Sequence, residues 1–339
     1  MASLVVSGEV LGVNIEHRHL LVVRLTGTDR GQKQSIPLVD VDRVVIIGRP
    51  SISMAVFQKL MYMAIPVYFI TSHGRWIGTL APDKNMQASR RIIQYQKQQD
   101  RALALEIAKE IVKTKLLNSR RVLQRLSSTR EESDIDEQIN VSADLMKLVN
   151  RIKIVNSLDE LRGIEGMGAA VYFSRLGKFF PKNVPFNGRS RRPPRDPANA
   201  LLSWTYTIVL GELEAMVRTH GLDPCIGFLH ELSHGSPSLA LDLLEPFRAP
   251  LCDLLVLNIL NHNILTDESF EFHSNDGGFY LKEECRKEFF QAYENTMNRK
   301  FKVAGSDIHS SFRQVMESQI SAILFAIEGK GSGKFFRMP

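Results

Sequence analysis

The hydrophobic period of this 339-residue chain changes once, and that change limits its fold more than any other feature. Up to about residue 84 the apolar runs are short, β-branched and bounded by Gly, Asn, Asp or Pro: VVSGEVLGV, HLLVVRL, RVVIIG and IPVYFIT. Runs of that composition between such breakers specify strands. One helix interrupts them, where Met54, Phe57, Leu60 and Met61 recur at helical spacing behind Ser51 or Ser53 as cap. SHGRWIGTL then turns into a last hairpin strand. Beyond Ala81-Pro82-Asp83 the period is about 3.6 residues, so a domain boundary is expected there. Met86 to about Leu126 reads as helix, with Ile92, Ile93, Leu103, Ile107, Ile111 and Leu117 as its buried stripe. SSTREESDIDE (127–137) reads as a solvated acidic loop, and Ile139 to Val155 as a second amphipathic helix. Ser157 and Glu160 form a capping box for a third. FEFHSNDGGFYL is expected to be a small hairpin with a Gly-Gly turn. The class is therefore α+β: a small β-rich N-terminal domain at 1–84, then a larger, essentially all-α domain at 85–328. Residues 329–339, basic and glycine-rich, are expected to be a mobile tail.

Composition excludes several classes. With 44% hydrophobic and 24% charged residues, the chain has enough apolar side chains for full cores and no signature of disorder. A formal charge of +6 tilts it toward anionic partners. Its three cysteines, Cys225, Cys252 and Cys285, lack CxxC spacing, which argues for a reducing compartment and against a thiolate zinc site. MASLVVSGEV lacks a signal-peptide pattern, and no apolar run approaches the ~20 residues of a membrane span. A cytoplasmic protein without membrane contact is expected.

Chemistry concentrates between Gly221 and Pro250, GLDPCIGFLHELSHGSPSLALDLLEPFRAP. Ser236 and Pro237 read as the N-cap and first residue of a helix. Asp242 and Glu245 then project from one side of that apolar helix, three residues apart. Two acids there are costly unless a cation, a donor or water meets them. With His230 just upstream, a divalent-metal site is the simplest reading. Asp242 capping a backbone segment, Glu245 solvated and His230 a satisfied core histidine is the other. Pro246 removes a helical hydrogen bond directly after Glu245 and should kink or divide the helix. Upstream, Glu165 sits among Gly163, Gly166, Gly168, Ala169 and Ala170, where small residues admit either a ligand or a neighbouring helix. Lys182, Arg189, Arg191, Arg192 and Arg195 fall in a Pro- and Gly-broken loop almost free of acids, which suits contacts to a phosphate backbone; Arg248 joins this basic set. Trp204 and Tyr206, on a strong helix from Ala198 to Thr219, read as core.

His230-Glu231-Leu232-Ser233-His234 also matches the HExxH zincin pattern, in which one helix presents both histidines to zinc. Gly235-Ser236-Pro237 would stop such a helix at once. A non-catalytic nucleic-acid scaffold would account for the basic loop and leave Glu165, His230, Asp242 and Glu245 without a purpose.

Taken together, RGIEGMGAAVYF, FNGRSRRPPRDPANALLSWTY, GLDPCIGFLH, GSPSLALDLLEPFR and, more loosely, GGFYLKEECRKEFFQAYE resemble the CRISPR-associated adaptation integrases (Cas-one). IPLVDVDRVVIIG and AIPVYFITSHGRWIGTL fit as well, so the likeness spans nearly the whole chain. It implies a homodimer that works with a small companion protein (Cas-two) on double-stranded protospacer and CRISPR-repeat DNA. It maps the family's metal ligands onto Glu165, His230 and Glu245, with Asp242 as the supporting acid of the catalytic set, and it places Arg191 and Arg192 in a loop that closes over DNA. Carboxylates with one neutral imidazole suit Mg2+ or Mn2+ better than zinc or copper. The implied reaction inserts spacer DNA by attack of a 3′-OH on a repeat-end phosphate.

Overall fold

The computed structural model describes residues 2–7, 11–24, 31–72, 76–81, 87–128, 135–184, 186–303, 308–331 and 334–339. Its first strands are β1 (Ala2–Ser7), β2 (Leu11–Glu16), β3 (His19–Arg24), β4 (Lys33–Pro37), β5 (Val41–Ile47) and β6 (Ser51–Ile52). Helix α1 (Met54–Tyr62) follows, then β7 (Val67–Ile70) and β8 (Trp76–Leu80). They make two four-stranded sheets, ordered β1-β5-β7-β8 and β4-β3-β2-β6. The first is parallel along β1, β5 and β7 and antiparallel at β8. More strands form than the apolar runs announced, because polar Lys33–Pro37 pairs antiparallel with β3 and Ser51–Ile52 pairs with β2 instead of opening α1. Ser53 holds the cap position of α1 without a side-chain bond, and Met54 lies exposed.

Period-two alternation along β5 decides how the layers join. Val44 and Ile46 enter one core, shared with Val13, Leu20, Val56 and Leu60 between the two sheets. Val45 and Ile47 enter the other, with the helices. A strand buried on both faces needs a continuous apolar run, and VVII supplies it. The β-rich segment and the helices therefore share one wall. Buried Arg43, also on β5, binds Glu212 at 2.6 Å, and Arg313 ties Glu212 (3.2 Å) to Glu294 (2.7 Å). Of the boundary expected at Ala81-Pro82-Asp83, residues 82 and 83 lie outside the described residues.

The helical part starts with α2 (Ala88–Gln99) and α3 (Arg101–Ser127). The single helix expected from Met86 is divided at Asp100, whose carboxylate accepts from Leu103 N and caps α3. Ile107 and Ile111 are buried as expected, whereas Ile92 is exposed. Helices α4 (Ile135–Ile152) and α5 (Leu158–Leu176) pack on α3. Helix α4 begins inside the stretch read as a solvated loop, because Glu137 there is drawn to buried Arg175 (2.9 Å) and to Lys178 (2.6 Å); residues 129–134 lie outside the described residues. Ser157 caps α5 by accepting from Glu160 N, while Glu160 reaches back to Asn156 N.

Helix α6 (Pro197–Thr219) is long and apolar enough to cross a bilayer, contrary to expectation; 83% of its apolar window is buried within the protein, so the core accounts for it. Then come α7 (Ser238–Leu244), a 3-10 turn at Glu245–Phe247, a π-helical turn at Arg248–Asp253 and α8 (Leu254–Asn261). Hairpin β9 (Phe270–His273) and β10 (Gly278–Leu281) forms where expected, with Gly277 alone of its glycine pair at positive φ. Helix α9 (Arg286–Asn298), the short pair β11 (Phe301–Lys302) and β12 (His309–Ser310), and α10 (Phe312–Ile327) complete the chain.

The tail expectation is corrected. Phe336 is buried and stacks on Phe247, its N–H donates to Gln319 Oε1, and Asn118 bonds both Phe336 O and Met338 N. Its apolar Phe335, Phe336 and Met338 outweigh its charge.

Candidate active site

Four segments converge near the middle of α3. Helix α5 contributes Glu165, the loop before α7 contributes His230, the 3-10 turn after α7 contributes Glu245, and α3 contributes Lys115. Gly168 allows α5 to approach α3 closely, since a Cβ there would meet Leu116 Cδ2 at 2.2 Å. Gly163 and Gly166 face open space, so of the small-residue cluster Gly168 serves packing.

The loop carrying His230 is irregular, and each turn of it is fastened. Gln94, fully buried on α2, donates to Asp223 O (2.9 Å) and Ile226 O (2.8 Å) and accepts from Asp223 N (2.8 Å). Ser238 Oγ accepts from Gly227 N and donates to Cys225 O, so Ser238, not Ser236, organises the start of α7. The first helical residue is accordingly Ser238, one place later than expected, behind Pro237 at the cap position. Arg162, one turn before Glu165, donates to Leu229 O (2.9 Å) and Glu231 (3.1 Å), tying α5 to this loop.

Asp242 is the hub. It is wholly buried, and its carboxylate accepts from the backbone amides of Phe228 (2.5 Å), Leu229 (3.0 Å) and His230 (3.0 Å). Its Oδ1 lies 2.7 Å from His230 Nδ1. Only glycine fits at 227, because a Cβ would meet Asp242 Oδ2 at 2.7 Å. With all four acceptor sites taken, Asp242 cannot touch a substrate. It leaves the catalytic set proposed from sequence and becomes a positioning residue: an imidazole donating through Nδ1 to a carboxylate keeps Nε2 as its free lone pair. Burial alone would lower the His230 pKa, but the Asp242 hydrogen bond and the charges of Asp242 and Glu245 hold it above the ordinary value.

His230 Nε2 faces Glu245 Oε1 at 3.7 Å. Burial would raise the Glu245 pKa, yet the net effect is a strong lowering, driven by Arg248, Lys115 and His230. Arg248 Nε donates to Glu245 Oε1 at 2.8 Å, and its guanidinium lies over the Tyr206 ring, 4.6 Å from the centroid. Pro246 does divide the helix at Glu245, and its freed carbonyl accepts from Asn118 Nδ2 (2.8 Å). Lys115 Nζ contacts both Glu165 Oε1 and Glu245 Oε2, the latter at 2.5 Å. Glu245 Oε2 is buried and has no directed hydrogen bond, although the ammonium touches it.

Glu165, His230 and Glu245 are thus the residues that could hold a cation, through two carboxylates and one imidazole Nε2. Oxygen-rich donors with one nitrogen suit Mg2+ or Mn2+, and the buried Glu245 oxygen lacking a directed partner fits a ligand. Among the described residues no three His, Cys, Asp or Glu side chains stand close enough together to hold a metal ion as they are placed; the Lys115 ammonium stands between the two glutamates.

Residues 228–237 include no helix, Glu231 and His234 are exposed, and Glu231 pairs with Arg162. That excludes the zincin arrangement, which needs both histidines on one helix. Of the basic set, Lys182, Arg191, Arg192 and Arg195 are exposed. Arg191 lines the small cleft beside Lys115 and Arg248, and with Arg192 it also lines a broader one walled by Trp76, Phe279 and Tyr280. Arg189 is different: it donates to Asn199 Oδ1 (2.8 Å) and Ser203 Oγ (3.0 Å), and burial lowers its pKa. Arg248 likewise serves Glu245, so neither guanidinium is a free phosphate contact.

Sequence reasoning missed Lys115, and also Asp253. Asp253 is buried, accepts from Tyr172 (2.9 Å) and Tyr206 (2.5 Å) hydroxyls, and has its pKa pushed up to about 6 by burial. Tyr206 is thereby fixed as the platform under Arg248. Lys115 left a faint signal. Ile107, Ile111, Lys115, Asn118 and Val122 follow helical spacing, so Lys115 and Asn118 interrupt an otherwise apolar stripe.

Three comparisons bear on this arrangement. The family described as "CRISPR associated protein Cas1" matches residues 4–295. The chain is 33% identical over 294 residues, 86% of this chain and 91% of the other, to CRISPR-associated endonuclease Cas1 1 of Thermodesulfovibrio yellowstonii. A casposase solved bound to its integration product is similar over 100% of this chain and 94% of that one, with 25% identity and a TM-score of 0.87. The fold is also that of a chain in a Cas6-RT-Cas1–Cas2 complex, at 24% identity and a TM-score of 0.79, over 99% of this chain and 36% of that one.

Proposed function

The chain belongs to the CRISPR-associated Cas1 endonuclease family, and from that premise we propose that it is a divalent-metal-dependent DNA integrase that inserts spacers into a CRISPR repeat. The observation that carries this reading is the convergence of Glu165, His230 and Glu245 with His230 Nε2 left free by Asp242. Mg2+ or Mn2+ held by those three side chains would supply Lewis acidity to a phosphoryl oxygen and to the attacking hydroxyl.

The residues of the chain do the rest. Asp242 fixes the imidazole, and Arg248 neutralises one edge of Glu245 while Tyr206 and Asp253 hold Arg248 in place. Exposed Arg191 and Arg192 bring a DNA backbone to the cleft beside Lys115, through contacts that are sequence-independent. A 3′-OH then attacks a repeat phosphorus. One P–O bond forms as the bond to the departing 3′ oxygen breaks; the attacking hydroxyl gives its proton to solvent and the departing oxygen takes one up. Water in place of the 3′-OH gives strand cleavage at the same site. The casposase likeness supports strand transfer, and the family supports work as a homodimer beside the companion Cas2 protein.

The test is strand transfer of a protospacer into a repeat-bearing plasmid with Mn2+ or Mg2+. Glu165→Ala, His230→Ala and Glu245→Ala should each abolish it in folded protein, with losses that are not additive. Full activity in folded Glu165→Ala would overturn the assignment.

A further inference from the structure

Lys115 has no part in the mechanism above, yet its ammonium occupies the place toward which two of the proposed ligands point. The side chain leaves α3 with 11% of its surface exposed and touches Glu165 Oε1 and Glu245 Oε2 together. These are carboxylates from two different segments, and Lys115 is the group that bridges them. Arg248 is not equivalent. It meets Glu245 from the other oxygen, Oε1, and is held against the Tyr206 ring. An ammonium is a compact point charge on a flexible four-carbon stem, whereas a guanidinium is a planar fork. Lys115 can therefore give way to an ion at the same oxygens, and Arg248 need not move.

We propose that Lys115 is the internal counter-ion of this site: with no metal bound, its ammonium holds Glu165 and Glu245 converged, and a divalent cation binds by displacing it. The inference rests on the metal reading and adds to it a residue that sets how tightly the metal binds. Two ligand carboxylates facing each other without a cation repel, so Lys115 keeps the metal-free site assembled. The same charge competes for the same oxygens and weakens the site for metal. On displacement the ammonium stays within the cleft that it lines with Arg191 and Arg248.

The experiment is a Mn2+ titration of chelator-treated protein without DNA, following free Mn2+ by electron paramagnetic resonance, on wild type, Lys115→Met and Lys115→Arg. Lys115→Met should bind Mn2+ at least about tenfold more tightly than wild type, equivalent to about 1.4 kcal/mol. It should also melt lower in chelator and regain more on adding Mn2+. Lys115→Arg, which keeps the charge, should bind no more tightly than wild type. Equal or weaker Mn2+ binding by folded Lys115→Met overturns the inference while leaving the metal reading intact. Absence of Mn2+ binding in wild type and Lys115→Met overturns both. Should Lys115→Met not fold in chelator, wild type alone decides. Amine acetylation mapped by mass spectrometry should mark Lys115 more strongly with Mn2+ than with chelator, and unchanged labelling refutes displacement.

Discussion

Replacing Asp242 by asparagine removes one charge and turns one acceptor oxygen into a donor, with almost no change in shape. In the native site that carboxylate receives three backbone N–H groups and His230 Nδ1. An asparagine can satisfy only the pair of donors facing its remaining oxygen. The other two meet an NH2 group. Each hydrogen bond to a charged group contributes about 1.5–3 kcal/mol, so two lost bonds set the scale at about 3 kcal/mol after the loop relaxes. At about 2.1 cal/mol/K per residue, a 339-residue chain then melts about 4 °C lower. The functional loss should be larger in proportion, since an unbuttressed imidazole ligand costs about 10–100-fold in metal affinity or activity. Thermal unfolding and Mn2+-dependent strand transfer measure the two effects separately. A melting temperature within 1 °C of wild type, with strand transfer within about twofold, would refute the role assigned to Asp242.

Other expectations follow from the same geometry. Arg191→Gln with Arg192→Gln should weaken binding of all DNA sequences and reduce the log–log salt slope by roughly one per lost contact, without altering stability. Arg189→Gln should instead destabilise the fold by about 1–3 kcal/mol, seen as a lower urea midpoint, because it empties a buried hydrogen-bond position. Deleting residues 334–339 should lower the melting temperature and strand transfer together, because Asn118 joins that tail to the carbonyl after Glu245. Asp253 has a folded pKa raised to about 6 against an ordinary 3.8, so its contribution is fully present below about pH 3.8 and is lost as pH rises through 6. Relative to Asp253→Asn, wild type should therefore lose up to about 3 kcal/mol between pH 4 and pH 7 in urea titrations.

What the sequence made legible was periodic or local. The change from strand to helix period, the capping at Ser157, the break at Pro246 and the hairpin at Phe270–Leu281 each depend on neighbours within a few residues. The acids that converge with His230 stood out because Asp242 and Glu245 are anomalous on an apolar helix and Glu165 on a glycine-rich one, and the structure brings Glu165, His230 and Glu245 together. Directions of side chains were not readable. Arg189 and Arg191 stand two residues apart in the same loop, yet one turns onto Asn199 and Ser203 and the other outward. Lys115 meets partners 50 and 130 positions away, so only its interruption of the α3 stripe marks it. The tail was misjudged because glycine and charge suggested motion, while burial of Phe336 against Phe247 fixed it.

The position of a bound divalent ion tests the metal reading most directly. Anomalous diffraction from crystals soaked in Mn2+ should give a single strong peak among Glu165, His230 Nε2 and Glu245, at about 2.1 Å from each ligating atom, with Asp242 still on Nδ1 and Lys115 moved away. A soaked crystal with no peak there, or a peak ligated by His234, would contradict it.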